Sequence, residues 1–178
     1  MFRTRLGFLS RVALRLALTL LPAVATAATL NVDCDSTTPG VLTSIKAALA
    51  ALPDKDGPHT LTVSGTCREN LLLDNWQRLT IESAAGTTAT IISPVGNKTV
   101  IEVWSSTGLR FGRLLITGGN RGVQLGRGSE ASFDSTRIER TSGQGLWGTF
   151  QSIAQLQGTA EEPVLIANNN GAGLVVID

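Results

Sequence analysis

The chain has 178 residues, of which 42% are hydrophobic, with 19 glycines, no tyrosine and a formal net charge of +1. One domain is expected at this length, and the apolar content excludes a globally disordered chain. The near-neutral balance excludes the strongly basic footprint of a nucleic-acid binder.

The first predicted element is a leader. Arg3, Arg5, Arg11 and Arg15 are interleaved with an apolar stretch that ends in "LALTLLPAVATAA". A basic start, an apolar centre and small residues spaced A-x-A make a secretory signal peptide over residues 1–27. Cleavage after Ala27 is favoured over the equivalent pattern that ends at Ala25. A membrane anchor is the alternative, but the uninterrupted apolar run is short for a spanning helix. Lipid attachment at Cys34 would need a small residue where "LNVDC" has Asp33. The expected location is secreted or periplasmic. Without the four leader arginines, 11 Lys and Arg face 14 Asp and Glu, a net charge of −3. That balance offers no basic patch to nucleic acid or to an anionic membrane.

Cys34 and Cys67 are the two cysteines. An oxidising compartment favours a disulfide between them. A metal site is the alternative, for which two thiols and the single histidine, His59, make a poor ligand set.

Residues 28–58 read as an N-terminal cap with one helix. In "TTPGVLTSIKAALAALP", Val41, Ile45, Ala48, Leu49 and Leu52 fall on one face of a 3.6-residue period. Thr38-Pro39 resembles a helix start, and Pro53 ends it. "DKDG" at 54–57 reads as a turn, since it is shorter than an EF-hand loop, and His59 reads as a surface loop residue.

From residue 59 to 178 the pattern changes to short β-prone runs separated by turn formers, with no second long helix. Sliding the sequence against itself gives an offset of 22: Ile101 and Val103 land on Val123 and Leu125, Phe111 on Phe133, and Ile116 on Ile138. Three ladders follow. The first runs Leu79/Ile81, Leu109/Phe111, Ala131/Phe133, Ala154/Leu156. The second runs Val63, Ile92, Ile116, Ile138, Ile166. The third runs Leu71/Leu73, Ile101/Val103, Val123/Leu125, Leu146, Leu174/Val176. Three strands and three turns per repeat make one coil of a parallel β-helix, about five coils in all. The stacks Phe111–Phe133 and Ile116–Ile138–Ile166 are expected to be buried. Gly122, Gly145 and Gly173 precede third-ladder strands, where a sharp turn is expected to need a positive φ. "NNN" at 168–170 suits a corner, because Asn tolerates the left-handed region and bonds along a stack.

"AATLNVDC", "IKAALAALPDKDGPHTLTVSGTCRENLLL", "RLTIES" and the repeated "GVxL…F…I" coils resemble exported bacterial right-handed parallel β-helix proteins of the pectin-lyase-like group, over residues 28–178. The resemblance implies an all-β solenoid whose short N-terminal α-helix caps one end. It also implies that Cys34 and Cys67 pin this cap to the first coil. Many members of the group are polysaccharide lyases, hydrolases or epimerases, and fold alone does not assign function.

Pectate-type lyases need clustered acids for Ca²⁺ and a base for the α-proton. Outward positions offer Glu82, Glu102, Asp134, Arg110 and Arg113, with no ladder column expected to hold several acids. The polygalacturonase-like pattern of paired Asp, "GHG" and "RIK" has no match. "NKT" at Asn97 is a glycosylation acceptor pattern.

Trp76, Trp104 and Trp147 fall on or just after third-ladder strands, so flat indoles along a solenoid face, with Arg110, are candidate sugar contacts. Packing over corners is the alternative. The expectation is therefore a non-catalytic polysaccharide-binding or structural surface module without metal or cofactor. The alternative is a small or truncated lyase, hydrolase or epimerase, for which Ca²⁺ would be the cofactor. The chain stops in mid-ladder at "GLVVID". The solenoid is thus expected to be C-terminally incomplete, or to self-associate through its C-terminal edge.

Overall fold

The computed structural model describes residues 26–177. Of the predicted leader, Thr26 and Ala27 are described, and the remainder lies outside the described residues. The chain is a parallel β-solenoid of five coils with a short helix near its N-terminal end. Strand β1 (Ala28–Asp33) and helix α1 (Ile45–Ala51) come first. The first coil holds β2 (His59–Ser64), β3 (Thr66–Arg68) and β4 (Leu71–Asp74). The second holds β5 (Leu79–Ser83), β6 (Thr90–Ile92) and β7 (Ile101–Trp104). Next come β8 (Leu109–Gly112), β9 (Leu115–Thr117) and β10 (Val123–Gly126), then β11 (Glu130–Asp134), β12 (Arg137–Glu139) and β13 (Leu146–Thr149). The last coil holds β14 (Ile153–Gln157), β15 (Leu165–Ala167) and β16 (Leu174–Ile177).

Like strands stack on like, giving three parallel sheets with orders β1-β2-β5-β8-β11-β14, β3-β6-β9-β12-β15 and β4-β7-β10-β13-β16. Strands this short bury one residue in two, so no coil closes a core alone and stacking supplies it. In the first sheet Leu61, Ile81, Phe111, Phe133 and Leu156 lie in register. The Phe111 and Phe133 rings stack with centroids 5.2 Å apart and planes 19° from parallel. Such a pair adds about 1 kcal/mol to the burial of its area. The third-ladder column Leu71, Ile101, Val123, Leu146, Leu174 is as expected.

The second ladder differs from the expectation at its start. Its inward column is Cys67, Ile91, Ile116, Ile138, Ile166. Val63 belongs to the first sheet, and Ile92 points outward beside buried Ile91. "TII" places two isoleucines side by side, so composition leaves the pleat phase open. Ile166 is half-buried, while Ile116 and Ile138 are fully buried. Val176 takes its expected place opposite Gly148 but is 71% exposed, as the last coil's interior residues Leu156 and Leu174 also are in large part.

The glycines that precede third-ladder strands act through space rather than through φ, unlike Gly108, Gly118 and Gly119 of other turns. Positive φ falls on Arg78, Arg113, Arg127, Ser135 and Arg140 among others, and not on Gly122, Gly145 or Gly173. At Gly145 a Cβ would meet Ile166 Cγ2 at 2.6 Å and Gly173 O at 2.8 Å, and at Gly122 it would collide with Ile138 Cγ2. The chain turns so tightly that the next coil occupies the side-chain position. Gly145→Ala is therefore expected to cost about 1–3 kcal/mol by overpacking, read as a lower urea midpoint with an unchanged slope. Asn168 has φ 55°, as expected for Asn at a corner. Asn169 Oδ1 accepts from Thr141 N–H at 3.1 Å and from the Thr141 hydroxyl at 3.0 Å, bonding one coil to the next.

Helix α1 is shorter than predicted. Ser44 is its N-cap, with its hydroxyl accepting from Ala47 N–H, so Thr38-Pro39 lies outside the helix. Leu42 instead bridges Val32 of β1, and Val41 is exposed. The carboxylate of Glu69, 8% exposed, accepts from Ile45 N–H at 2.6 Å, Lys46 N–H at 3.1 Å and the Ser44 hydroxyl at 3.0 Å. A buried anion is thereby satisfied by the free amides at the positive end of the helix. Cys34 and Cys67 form a disulfide with Cα atoms 5.1 Å apart, which ties β1 to the first coil. Their sulfurs and a Glu69 oxygen lie within 4.8 Å of one another, but the covalent bond leaves neither sulfur as a thiolate ligand.

Candidate binding face

The sheet containing β4, β7, β10, β13 and β16 carries two indoles on its outer surface. Pleating sends the residues between Ile101, Val103 and their equivalents outward. One outward column therefore reads Leu72, Glu102, Gln124, Trp147, Val175, and the next reads Asp74, Trp104, Gly126. Trp104 and Trp147 are half-buried and sit on strands two coils apart, about 10 Å along the axis at ~4.8 Å per strand. The Trp104 ring occupies the space over Gly126, whose missing side chain makes the room. Its Nε1–H donates to Glu102 at 3.4 Å, and the Arg127 guanidinium stands 5.5 Å from the ring centroid.

The Arg121 guanidinium lies 4.1 Å from the Trp147 centroid and also donates to Gln124 and Gln144, each at 3.2 Å. Cation–π contact and two amide acceptors hold the arginine over the face of the Trp147 ring. The face combines flat apolar rings with amide, carboxylate and guanidinium groups. Trp76 does not join it. It is 5% exposed at the corner after β4, with the Lys55 ammonium 5.8 Å from its ring.

Arg110 lies on a different sheet, on β8, and pairs with Asp134 of β11 at 2.5 Å. Contrary to the expectation that no column holds several acids, the first sheet stacks two in one column. Glu82, Gly112 and Asp134 share one outward column, so two acids of the first sheet flank a glycine. Arg113 faces Glu82 at 3.5 Å while also donating to Ser83 O. Beyond this column a groove of about 560 Å³ runs between Arg113, Arg137, Glu161 and Glu162. Glu139, 4% exposed, is held between Arg137 at 2.9 Å and Arg140 at 3.1 Å.

His59 is not a surface loop residue. It opens β2 and is 1% exposed. Its Nε2 is 3.0 Å from Asp54 Oδ1, and its Nδ1 accepts from Ala28 N–H at 3.2 Å. The register explains this: His59 stands between Ala28 and Leu79 in the column, in phase with inward Leu61 and Val63. "DKDG" is a turn, with Asp54 Oδ1 accepting from Asp56 N–H and Gly57 N–H. The hydrogen bond from His59, with those amides, holds the Asp54 carboxyl below the usual carboxylate range. A lowered folded pKa stabilises the chain above the ordinary carboxylate range, and this contribution is lost as pH falls through the lowered value. Asn97 is exposed in the loop before β7.

Among the described residues no helix is long and apolar enough to cross a membrane. Compared with protein-family models, with curated proteins and with solved structures, the chain gives no match.

Proposed function

We propose that this chain is an exported, non-catalytic β-solenoid that binds a polysaccharide along the face formed by β7, β10 and β13. The observation that carries this reading is the pair Trp104 and Trp147. They lie on one sheet, two coils apart and in adjacent outward columns, with Arg121 and Gln124 between and beside them. Trp104 offers an apolar platform, and Trp147 with Arg121 stacked over it a guanidinium–indole surface, to alternate rings of an extended glycan, and the amide and guanidinium groups offer hydrogen bonds to its hydroxyls. Export is supported by the disulfide, which persists in oxidising compartments. The leader-like residues 1–27 support it as well.

The test is affinity electrophoresis and calorimetry against a panel of neutral and uronic-acid polysaccharides. Trp147→Ala and Trp104→Ala are each expected to weaken binding about tenfold, the loss of roughly 1–1.5 kcal/mol of stacking. Trp76→Phe is expected to leave affinity unchanged. Equal affinity in all three variants rules out this face.

A second reading, a small carbohydrate-active enzyme, is favoured by the column that brings Glu82 and Asp134 to either side of Gly112. Two carboxylates facing a sugar with room for water are what an inverting hydrolase uses. New reducing ends, or unsaturated product absorbance, that vanish in Asp134→Asn would establish it in place of simple binding.

A further inference from the structure

The residue that begins β1, Ala28, donates its backbone N–H to the buried Nδ1 of His59, and the other ring nitrogen faces the Asp54 carboxylate at 3.0 Å. The two residues before it, Thr26 and Ala27, are exposed and outside the strand. The A-x-A pattern ends at Ala27, so the expected cleavage point and the structural start of the sheet coincide. We propose that the solenoid contains a built receptor for its own processed N-terminus, with His59 as acceptor of the Ala28 α-ammonium and Asp54 as the balancing charge. The proposal rests on the export reading and not on the sugar-binding one.

The covalent step is hydrolysis of the Ala27–Ala28 peptide bond by a peptidase selective for small residues. The C–N bond breaks, and water supplies oxygen to the Ala27 carbonyl, which becomes a carboxylate. The released Ala28 nitrogen takes up protons to become an ammonium. Before cleavage this nitrogen offers His59 a neutral amide hydrogen. After cleavage it offers a charged donor, and charge-assisted bonds are shorter and about twice as strong.

The hydrogen-bond pattern assigns the tautomer. Nδ1 accepts, so the ring proton sits on Nε2 and points at Asp54. Ammonium, imidazole and carboxylate then form one chain across the edge of the sheet, anchoring the first strand, which would otherwise fray. The neighbouring cations are committed elsewhere: Arg78 donates to Asp56 O and Gly57 O, and Lys55 donates to Asp74 O. No other described cation is bonded to Asp54.

The test begins with residues 1–178 expressed in an exporting host, followed by N-terminal sequencing of the secreted product. Ala28 is the expected first residue. Absence of cleavage overturns export itself. Cleavage elsewhere overturns this proposal and leaves export standing. The mature protein is then compared with a form beginning at Ala27, which restores the Ala28 amide and moves the ammonium one residue away.

The Ala27 form is expected to melt about 2–4 °C lower, the shift that roughly 1 kcal/mol gives in a chain of this size. In Asp54→Asn the same comparison is expected to shrink to within 1 °C. An equal difference in both backgrounds, or none in either, overturns the proposal. Nitrogen-15 NMR of His59 in the unaltered mature protein is an independent readout. Nδ1 is expected to be unprotonated, and a proton found there overturns the assignment even if Asp54→Asn fails to fold.

Discussion

Ile138→Asp is expected to abolish the folded state at ambient temperature, with loss of the cooperative thermal transition in circular dichroism. Ile138 is fully buried on β12, in register with Ile116 below and Ile166 above. Its Cγ2 also fills the space left by the absent side chain of Gly122 in the adjoining corner. An aspartate there has no donor within the column and no path to water, so it must be buried as an unpaired charge or expel the coil. Either route costs more than about 4 kcal/mol, a large share of the stability of a single domain. Ile92→Asp serves as the contrast. Ile92 is also a second-sheet residue but points outward, and its aspartate reaches solvent. A smaller loss at Ile92 than at Ile91 or Ile138 confirms the pleat phase, and equal losses would contradict it.

Removing the disulfide by the double change Cys34→Ser and Cys67→Ser is expected to cost about 3–4 kcal/mol, the chain-entropy value for a closed loop of this length. The two cysteines are 33 positions apart, Cys34 directly after β1 and Cys67 within β3, and enclose all of α1 and β2. In a chain of this size the loss is read as a fall of about 10 °C in the melting midpoint. The effect concentrates at the cap. Hydrogen exchange is expected to accelerate in β1 and α1 first, while β8 to β13 keep their protection until global unfolding. Adding reductant to the unaltered protein should reproduce the shift. A midpoint insensitive to both treatments would mean that the Glu69–α1 contacts hold the cap unaided.

The residues from 101 to 149 were legible because their repeat is nearly constant. An offset of 22 or 23 fixes which Val, Ile, Leu and Phe stack, and alternation then assigns inward and outward positions. The columns through Phe111–Phe133, Ile116–Ile138 and Ile101–Val123–Leu146 follow from that period alone. Local chemistry also carried the turn at "DKDG", the left-handed Asn168 and the candidate pairing of Cys34 with Cys67.

Tertiary structure decided whatever depends on two coils of unequal length. Between residues 59 and 100 the loops lengthen, the offset drifts, and the pleat phase at "TII" is set only when Ile91 docks on Cys67 and Ile116. The first ladder already aligns Ile81, Phe111 and Phe133, so the column of Glu82, Gly112 and Asp134 follows from it by one step along each strand, whereas only the fold puts Trp76 in a corner while Trp104 faces outward. Glu69 carries no periodic signal, because its partner, the amide of Ile45, is 24 positions away. His59 is in phase with inward Leu61 and Val63, but its polar partner, the amide of Ala28, is 31 positions away. Gly122 and Gly145 were recognisable as corner residues. Their reason was not, since a close approach by the next coil is a property of the stack, whereas a positive φ is a property of the residue itself.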